Sequence, residues 1–227
     1  MKKILVALFL VVVAVIAAPS HAAVVVTLDP GTTNVTTALT GYSTTGAMMD
    51  GMQVTAFFSS GGSDTQSWAD TGVTSGGVSG AGWSLSELGD TFGGNWTLTS
   101  QVNITRLLID AGPGDSVFDT DFGGAYGTNG SARGWTFDLQ SGATGLDLNV
   151  FYRDQVALSG SAPVGDLYRY LDVNFSSAFS GSMVYIADTD NLKFAGDIQP
   201  IPEPGTMMLL GSGLVGLAGF ARKRFLK

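Results

Sequence analysis

Residues 167–175 read LYRYLDVNF, and residues 146–151 read LDLNVF. In the shorter stretch, the apolar residues that precede Phe151 alternate with Asp147 and Asn149. A period of two places successive side chains on opposite faces of a β-strand. Because the apolar face of such a strand must be buried, both stretches predict strands of a sheet that packs against another sheet.

The same alternation, in shorter runs, extends over residues 23–196, which are predicted to form one domain of about ten strands and no helix. The predicted fold class is all-β, an antiparallel two-sheet sandwich of the jelly-roll or Greek-key type. The glycine- and serine-rich residues 73–82 are predicted to form a surface loop. Residues 183–187 and 191–195 are predicted to form a hairpin around Asp188-Thr189-Asp190, because aspartate favours turns.

The first 22 residues are typical of a secretory signal peptide. Lys2 and Lys3 precede fifteen apolar residues, 4–18, and this order of charge and hydrophobicity is that of an export signal. Small residues follow, so cleavage is predicted between Ala22 and Ala23. The alternative is a permanent membrane anchor, but a spanning helix needs roughly 20 apolar residues.

The other end of the chain combines a proline-rich spacer, residues 197–204, with an apolar, glycine-rich stretch and a basic end. Residues 205–221 are predicted to form a transmembrane helix of about 25 Å, enough to cross a thin bilayer. The basic residues 222–227 are predicted to stay in the cytoplasm. The residues that define these parts are Pro202, Glu203 and Pro204 in the spacer and Arg222, Lys223 and Arg224 in the basic end.

This order of parts, over about residues 201–227, resembles the PEP-CTERM family of exported proteins. The resemblance implies recognition by an exosortase, a membrane transpeptidase-like enzyme, with cleavage near the Pro-Glu-Pro segment. It also implies a location in the cell envelope, on the cell surface or in the extracellular matrix of a Gram-negative bacterium that makes an exopolysaccharide. The implied partners are the exosortase, a signal peptidase, the membrane before processing, and the exopolysaccharide. The alternative is a plain C-terminal anchor in which Pro-Glu-Pro occurs by chance.

The domain between the two ends is strongly acidic. Residues 23–200 hold five basic and eighteen acidic residues, a net charge of −13, and all but one of the acidic residues are aspartate. A surface of this charge repels nucleic acid and anionic lipid. Cations, and polymers that cations bridge, are the partners that this charge favours.

Several classes of enzyme are excluded by composition. Cysteine is absent, and the only histidine is His21, within the signal peptide. A Ser-His-Asp triad, a Cys-His pair or a histidine-ligated zinc site therefore cannot be built in the domain. Carboxylate catalysis, as in glycoside hydrolysis, is the chemistry that remains, and the expectation is that the protein is not an enzyme.

Two aspartate clusters are candidate calcium sites. Residues 115–124 read DSVFDTDFGG, and a second pair of aspartates, again separated by one residue, precedes Asn191. Calcium takes six to eight oxygen ligands from flexible loops, although neither cluster matches a complete EF-hand. The alternative is that these are solvated turn residues. The candidate ligands are Asp115, Asp119 and Asp121 in the first cluster and Asp188 and Asp190 in the second.

Aromatic residues supply the last candidate site. Tyr126 lies in a glycine-rich stretch and is the candidate for stacking on a sugar, whereas the four tryptophans are expected in the core. The function predicted from all these features is a non-enzymatic exported surface or extracellular-matrix protein, associated with exopolysaccharide or biofilm. The alternative is a carbohydrate-binding or carboxylate-based carbohydrate-active β-sandwich that depends on calcium. The tryptophans are Trp68, Trp83, Trp96 and Trp135.

Overall fold

The computed structural model describes residues 22–36, 38–41, 43–120, 134–160, 162–163, 165–192 and 199–200. The predicted signal peptide before Ala22, the candidate residues Asp121 and Tyr126, and the tail that carries the Pro-Glu-Pro segment lie outside these ranges. Within the described ranges, no helix is long and apolar enough to cross a membrane.

The described chain is almost entirely β-structure, which confirms the all-β prediction. Two single-turn 3₁₀ helices, Gly46–Met48 and Gly112–Gly114, interrupt the strands. The strands are β1 Val24–Asp29, β2 Asn34–Thr36, β3 Leu39–Gly41, β4 Gln53–Phe58, β5 Ser63–Ser67, β6 Ala69–Asp70, β7 Ser75–Gly80, β8 Trp83–Leu88, β9 Asn95–Asp110, β10 Ser116–Asp119, β11 Asp138–Gly142, β12 Leu148–Leu158, β13 Leu167–Ile186, β14 Asp188–Leu192 and β15 Gln199–Pro200.

All fifteen strands belong to one hydrogen-bonded network, whose main path runs β15-β2-β12-β13-β9-β8-β7-β6. The long strands β9 and β13 pair antiparallel at its centre, and each of them has different outer neighbours at its two ends. The first half of β9 pairs with β8 and its second half with β4. Likewise, β13 pairs with β12 near its start and with β11 near its end. The two long strands therefore join two groups of strands into a single sheet.

The prediction of a purely antiparallel sheet is wrong for two pairs, because β1 and β2 both run parallel to β12. The two strands follow one edge of β12 in succession, separated by a break at Pro30 and Gly31. Pro30 has no amide hydrogen to donate, but its carbonyl accepts from the Gln155 amide at 2.9 Å. Asp154 has a left-handed φ of 60° and accepts the Thr32 amide at 3.0 Å. The break in one strand thus matches a distortion in its partner.

The glycine-rich residues 73–82 were predicted to form a loop, but most of them form β7. A Cβ atom at Gly76 would collide with the Gly46 carbonyl and the Trp68 indole nitrogen. Glycine at this position serves close packing rather than a turn. Composition alone does not separate these two uses of glycine.

The predicted turn at Asp188-Thr189-Asp190 is also wrong, because these residues form the first part of β14. The chain leaves β13 at Ala187, whose carbonyl accepts the Trp96 indole N–H at 2.9 Å. Strand β14 then pairs with β10 and β3 rather than folding back on β13. All five of its residues are buried, so the aspartates lie inside the protein.

One aromatic cluster fills the centre of the main core. Trp96 packs against Trp68 at 5.3 Å between ring centroids and stacks on Tyr185 at 6.0 Å. Tyr185 in turn stacks on Phe137 at 4.6 Å. Trp96 and Tyr185 lie opposite each other across β9 and β13, whereas Trp68 lies between β5 and β6 and Phe137 just before β11. The cluster therefore joins distant parts of the chain in the main core, around which the sheet curls.

Asp64 in β5 fastens one edge of this curled sheet. Its Oδ2 accepts the Trp83 indole N–H and the Ala81 amide, both at 2.9 Å, while Oδ1 accepts the Gln66 side chain at 2.7 Å. These three donors lower the pKa of Asp64. The carboxylate thereby joins β5 to the turn between β7 and β8.

Replacing Asp64 with alanine should destabilise the protein by about 1–3 kcal/mol, because the buried Trp83 N–H loses its acceptor. Thermal unfolding of the full-length protein measures this change. Asp70→Ala, at an exposed position in the neighbouring β6, is the control and should change stability by less than about 0.5 kcal/mol. Equal effects of the two substitutions would show that Asp64 does not fasten the edge.

Candidate metal centre

Strands β10 and β14 bring three aspartates together. Asp119 lies directly opposite Asp188 in the antiparallel register, and Asp190 follows two residues later on the same face of β14. One carboxylate oxygen from each of the three lies within 4.8 Å of the others. The side chains are 0%, 1% and 1% exposed, in that order. Together they form an acidic cluster in the interior of the protein.

The hydrogen bonds in this cluster are uneven. Asp188 Oδ1 accepts two, from the Thr91 hydroxyl and the Thr189 amide, both at 2.9 Å. By contrast, Asp188 Oδ2 and Asp190 Oδ2 are buried and accept no hydrogen bond from the part of the chain that the structure describes. Buried carboxylate oxygens normally have donors, so these two oxygens need another partner.

The segment before β11 encloses the cluster from one side. The Trp135 amide donates to the Asp119 carbonyl at 3.1 Å, and the Trp135 carbonyl accepts the Asp188 amide at 3.0 Å. A Cβ atom at Gly134 would overlap the Asp119 carboxyl group. Glycine therefore lets this segment approach the cluster closely enough to exclude solvent.

Burial and mutual repulsion both disfavour the charged forms of these carboxylates. Desolvation is the main cause that raises the pKa of Asp188 to about 8, and the charge of Asp119 adds to it. Desolvation, followed by the charges of Asp119 and Asp188, raises the pKa of Asp190 to about 9. At neutral pH the cluster holds either protons or a cation.

The arginines in the described ranges have partners elsewhere. Asp172 accepts both Arg106 nitrogens, at 2.7 and 2.9 Å, and lies 3.0 Å from Arg153 Nε. Arg169 forms a bidentate pair with Asp110, at 2.8 Å for each bond. No ion pair among the described residues involves Asp188 or Asp190.

The arrangement suits a hard cation, because every available ligand atom is a carboxylate oxygen. The structure unites one member of the first predicted cluster, Asp119, with both members of the second. It does not bring Asp115 to them: this residue caps the 3₁₀ helix before β10, at the opposite end of that strand from Asp119. The sequence analysis treats the two clusters as separate sites, since no local pattern shows that β10 pairs with β14. It also misses Thr91, which lies far from both clusters along the chain.

Glu87 is a second buried acid, separate from the cluster. It occupies a core-facing position of β8 in alternation with Trp83 and Leu85, and the side chain is 1% exposed. Both carboxylate oxygens lack a well-formed hydrogen bond to the described residues. Desolvation raises the pKa of Glu87 to about 8, although the nearby Gly46 amide acts in the opposite direction. The period-two pattern of β8 was a signal that this glutamate points inward.

The tryptophans divide as expected, with one partial exception. Trp68, Trp83 and Trp96 are buried in the core, so they offer no surface for stacking on a sugar. Trp135 is only partly buried and meets Phe92 edge-to-face, at 5.8 Å between ring centroids.

Comparison with known proteins gives information about the tail alone. Residues 200–224 match the PEP-CTERM protein-sorting motif, which confirms the resemblance carried by Pro202-Glu203-Pro204 and the basic end. No curated protein and no solved structure matches the chain.

Replacing Glu87 with glutamine should flatten the pH dependence of stability. The folded protein retains the Glu87 proton up to about pH 8, whereas the unfolded chain releases it near its ordinary pKa. Stability of the wild type therefore falls as pH rises between these two values, and Glu87 contributes at most about 1.4 kcal/mol per pH unit to the slope. Glutamine has no proton to lose.

The measurement is chemical denaturation of the full-length protein at several values between pH 5 and pH 9. Asp50→Asn is the control, because Asp50 is exposed and water solvates its carboxyl group before and after unfolding. An unchanged slope in Glu87→Gln would show that Glu87 is not a buried neutral acid.

Proposed function

We propose that this chain, which carries the PEP-CTERM protein-sorting motif, is a non-enzymatic protein of the cell surface or extracellular matrix. The motif implies export to the cell envelope and processing by an exosortase. The proposal adds that the β-domain acts outside the cell as a structural or matrix component associated with exopolysaccharide. The match at residues 200–224 is the observation that supports it most strongly.

The character of the domain supports a structural role. The curled sheet encloses the main core, as the two layers of a β-sandwich would, and we propose that sandwich architecture for the mature domain. The net charge of −13 over residues 23–200 suits a protein in a hydrated matrix where cations bridge acidic polymers. Export by a signal peptide that is cleaved after Ala22, in a Gram-negative host, completes the proposal.

The Ala23 nitrogen supports cleavage at this point. It donates to Asp147 Oδ1 at 3.2 Å, and the Ala23 carbonyl accepts the Leu148 amide at 2.8 Å. After cleavage, this nitrogen would be a charged amino terminus beside a carboxylate. The new end of the chain would therefore keep its place at the start of β1.

The buried acids give little support to an enzyme. Glycosidases place two carboxyl groups about 5–10 Å apart on either side of the sugar. The carboxylates of Asp119, Asp188 and Asp190 lie within 4.8 Å of one another and are at most 1% exposed. A sugar cannot reach them in this arrangement.

Replacing Pro202-Glu203-Pro204 with three alanines should block processing and leave export intact. The two prolines keep the chain extended ahead of the membrane, and an extended segment is what a processing enzyme can bind. In a bacterium that makes an exosortase, the mutant should remain at full length in the membrane fraction. Mass spectrometry and membrane fractionation measure both properties.

The control replaces Asp197-Ile198-Gln199, just before the matched residues, with three alanines. This control should be processed like the wild type. Two results would remove the basis of the proposal and leave the tail as an anchor only. The first is processing of both triple-alanine variants, and the second is no processing of the wild type or of either variant.

Glycan binding is the second candidate function, and the partly exposed Trp135 beside Phe92 favours it. Exposed aromatic rings provide the flat apolar surface on which sugars stack. If this function holds, Trp135→Ala should lose at least tenfold in affinity for a glycan that the wild type binds in an array. Trp135→Phe, which retains a ring, should keep most of the affinity. Absence of any glycan ligand would remove this candidate.

A further inference from the structure

Two buried carboxylate oxygens in the acidic cluster accept no hydrogen bond from the described residues. Asp188 Oδ2 and Asp190 Oδ2 are buried, and no described residue donates to either. Each side chain is 1% exposed, so bulk water does not replace the missing donor. The ligand-capable oxygens of both residues and of Asp119 lie within 4.8 Å of one another. A single positive ion between them would give Asp188 Oδ2 and Asp190 Oδ2 the partner that they lack and would also contact Asp119.

We propose that Asp119, Asp188 and Asp190 bind one calcium ion, held between β10 and β14. The site differs from both sites that the sequence predicts, because it takes Asp119 from one cluster and the other two ligands from β14. It is also independent of the sorting tail, which lies outside the domain.

The chemistry of the ligands selects calcium among common biological cations. The oxygens are hard ligands, which excludes the nitrogen and sulfur environment that zinc prefers. Two oxygens bound to the same calcium ion are at most about 5 Å apart, since each Ca–O distance is 2.3–2.6 Å. The separations in the cluster fit this limit. Magnesium keeps several of its waters and uses one or two carboxylates, so three buried carboxylates suit calcium better.

The hydrogen bonds define how Asp188 binds. Its Oδ1 is occupied by the Thr91 hydroxyl and the Thr189 amide, so Oδ2 is the ligand atom. Thr91 also accepts the Thr189 amide at 3.1 Å, which fixes both residues relative to each other. Thr91 is thus a positioning residue. The three carboxylates supply between three and five of the six to eight ligands that calcium takes, and water or carbonyl oxygens supply the others.

The position of the site indicates what the ion would do. Strand β14 pairs only with β10 and β3 among the described strands, and β10 pairs in turn with the start of β13. An ion between Asp119 and the β14 aspartates would replace repulsion across this pair with attraction. Calcium would therefore fasten β14 and β3 to the central strands, and its removal would loosen that part of the sheet first.

The test is thermal unfolding and calcium binding of the full-length protein in detergent. At 100-fold excess over the dissociation constant, calcium should raise Tm by about 5–10 °C relative to a chelator. Equilibrium dialysis should find one calcium ion per chain. Magnesium at the same concentration should give a smaller shift.

Asp190→Asn tests whether Asp190 is a metal ligand or has only a packing role. Asparagine keeps the shape but removes the charge, so the variant should lose at least tenfold in calcium affinity. In chelator it should melt no lower than the wild type, because asparagine is a neutral side chain with nearly the shape of the protonated carboxyl group that it replaces. The matched control is Asp115→Asn, at the other end of β10. Asparagine tolerates the left-handed φ of 54° at this position, and this variant should bind calcium like the wild type.

Three results would overturn the proposal. The first is an equal melting temperature of the wild type in chelator and in millimolar calcium. That result is expected if a basic side chain neutralises the cluster, and the basic residues of the domain outside the described ranges are Arg133 and Lys193. The second is unchanged calcium affinity in Asp190→Asn. The third is loss of calcium binding in Asp115→Asn, which would place the site in residues 115–121 instead.

Discussion

The antiparallel pairing of β9 with β13 is the interaction on which the rest of the structure depends. Both strands are much longer than the others, at 16 and 20 residues, and their register shifts between Asn174 and Phe179. On one side of this irregularity they pair with β4 and β12, and on the other with β8 and β11. Since two strands belong to both groups, the groups cannot separate, and the sheet must curl around a shared core.

The domain neutralises its buried acids in different ways, and the differences are informative. Asp172 lies between two arginines and accepts a further hydrogen bond from Asn174 at 3.0 Å. Glu87 has no such partner among the described residues, and its raised pKa means that a proton neutralises it. The cluster at β10 and β14 holds three carboxylates in one place, and Asp188 Oδ2 and Asp190 Oδ2 accept no hydrogen bond from the described residues. The grouping of three carboxylates around one position distinguishes this candidate ion site from the single buried acid Glu87.

The sorting tail and the β-domain have separate roles. The tail determines where the protein goes and how it is processed, and its motif can be identified without any knowledge of the domain. The domain is acidic and well packed: it has a large main core and a second, smaller hydrophobic cluster, ion pairs on its described arginines, and a charge that favours cations. With the calcium site proposed above, the stability of the domain would depend on the calcium concentration around it.

The sequence by itself determined the all-β class, the C-terminal sorting motif, and the lack of cysteine and of any histidine other than His21. These conclusions depend on local patterns: the alternation of 146–151, the order of charge and hydrophobicity in the tail, and simple composition. The tertiary structure alone decided that β1 and β2 run parallel to β12, that residues 75–80 form a strand, and that Asp119 faces Asp188 across a strand pair. Each of these depends on contacts between residues far apart in the chain. The sequence does not distinguish an aspartate in a turn from an aspartate in a buried strand. Only the pairing of β10 with β14 shows that water is excluded from the carboxylates of Asp119 and Asp188.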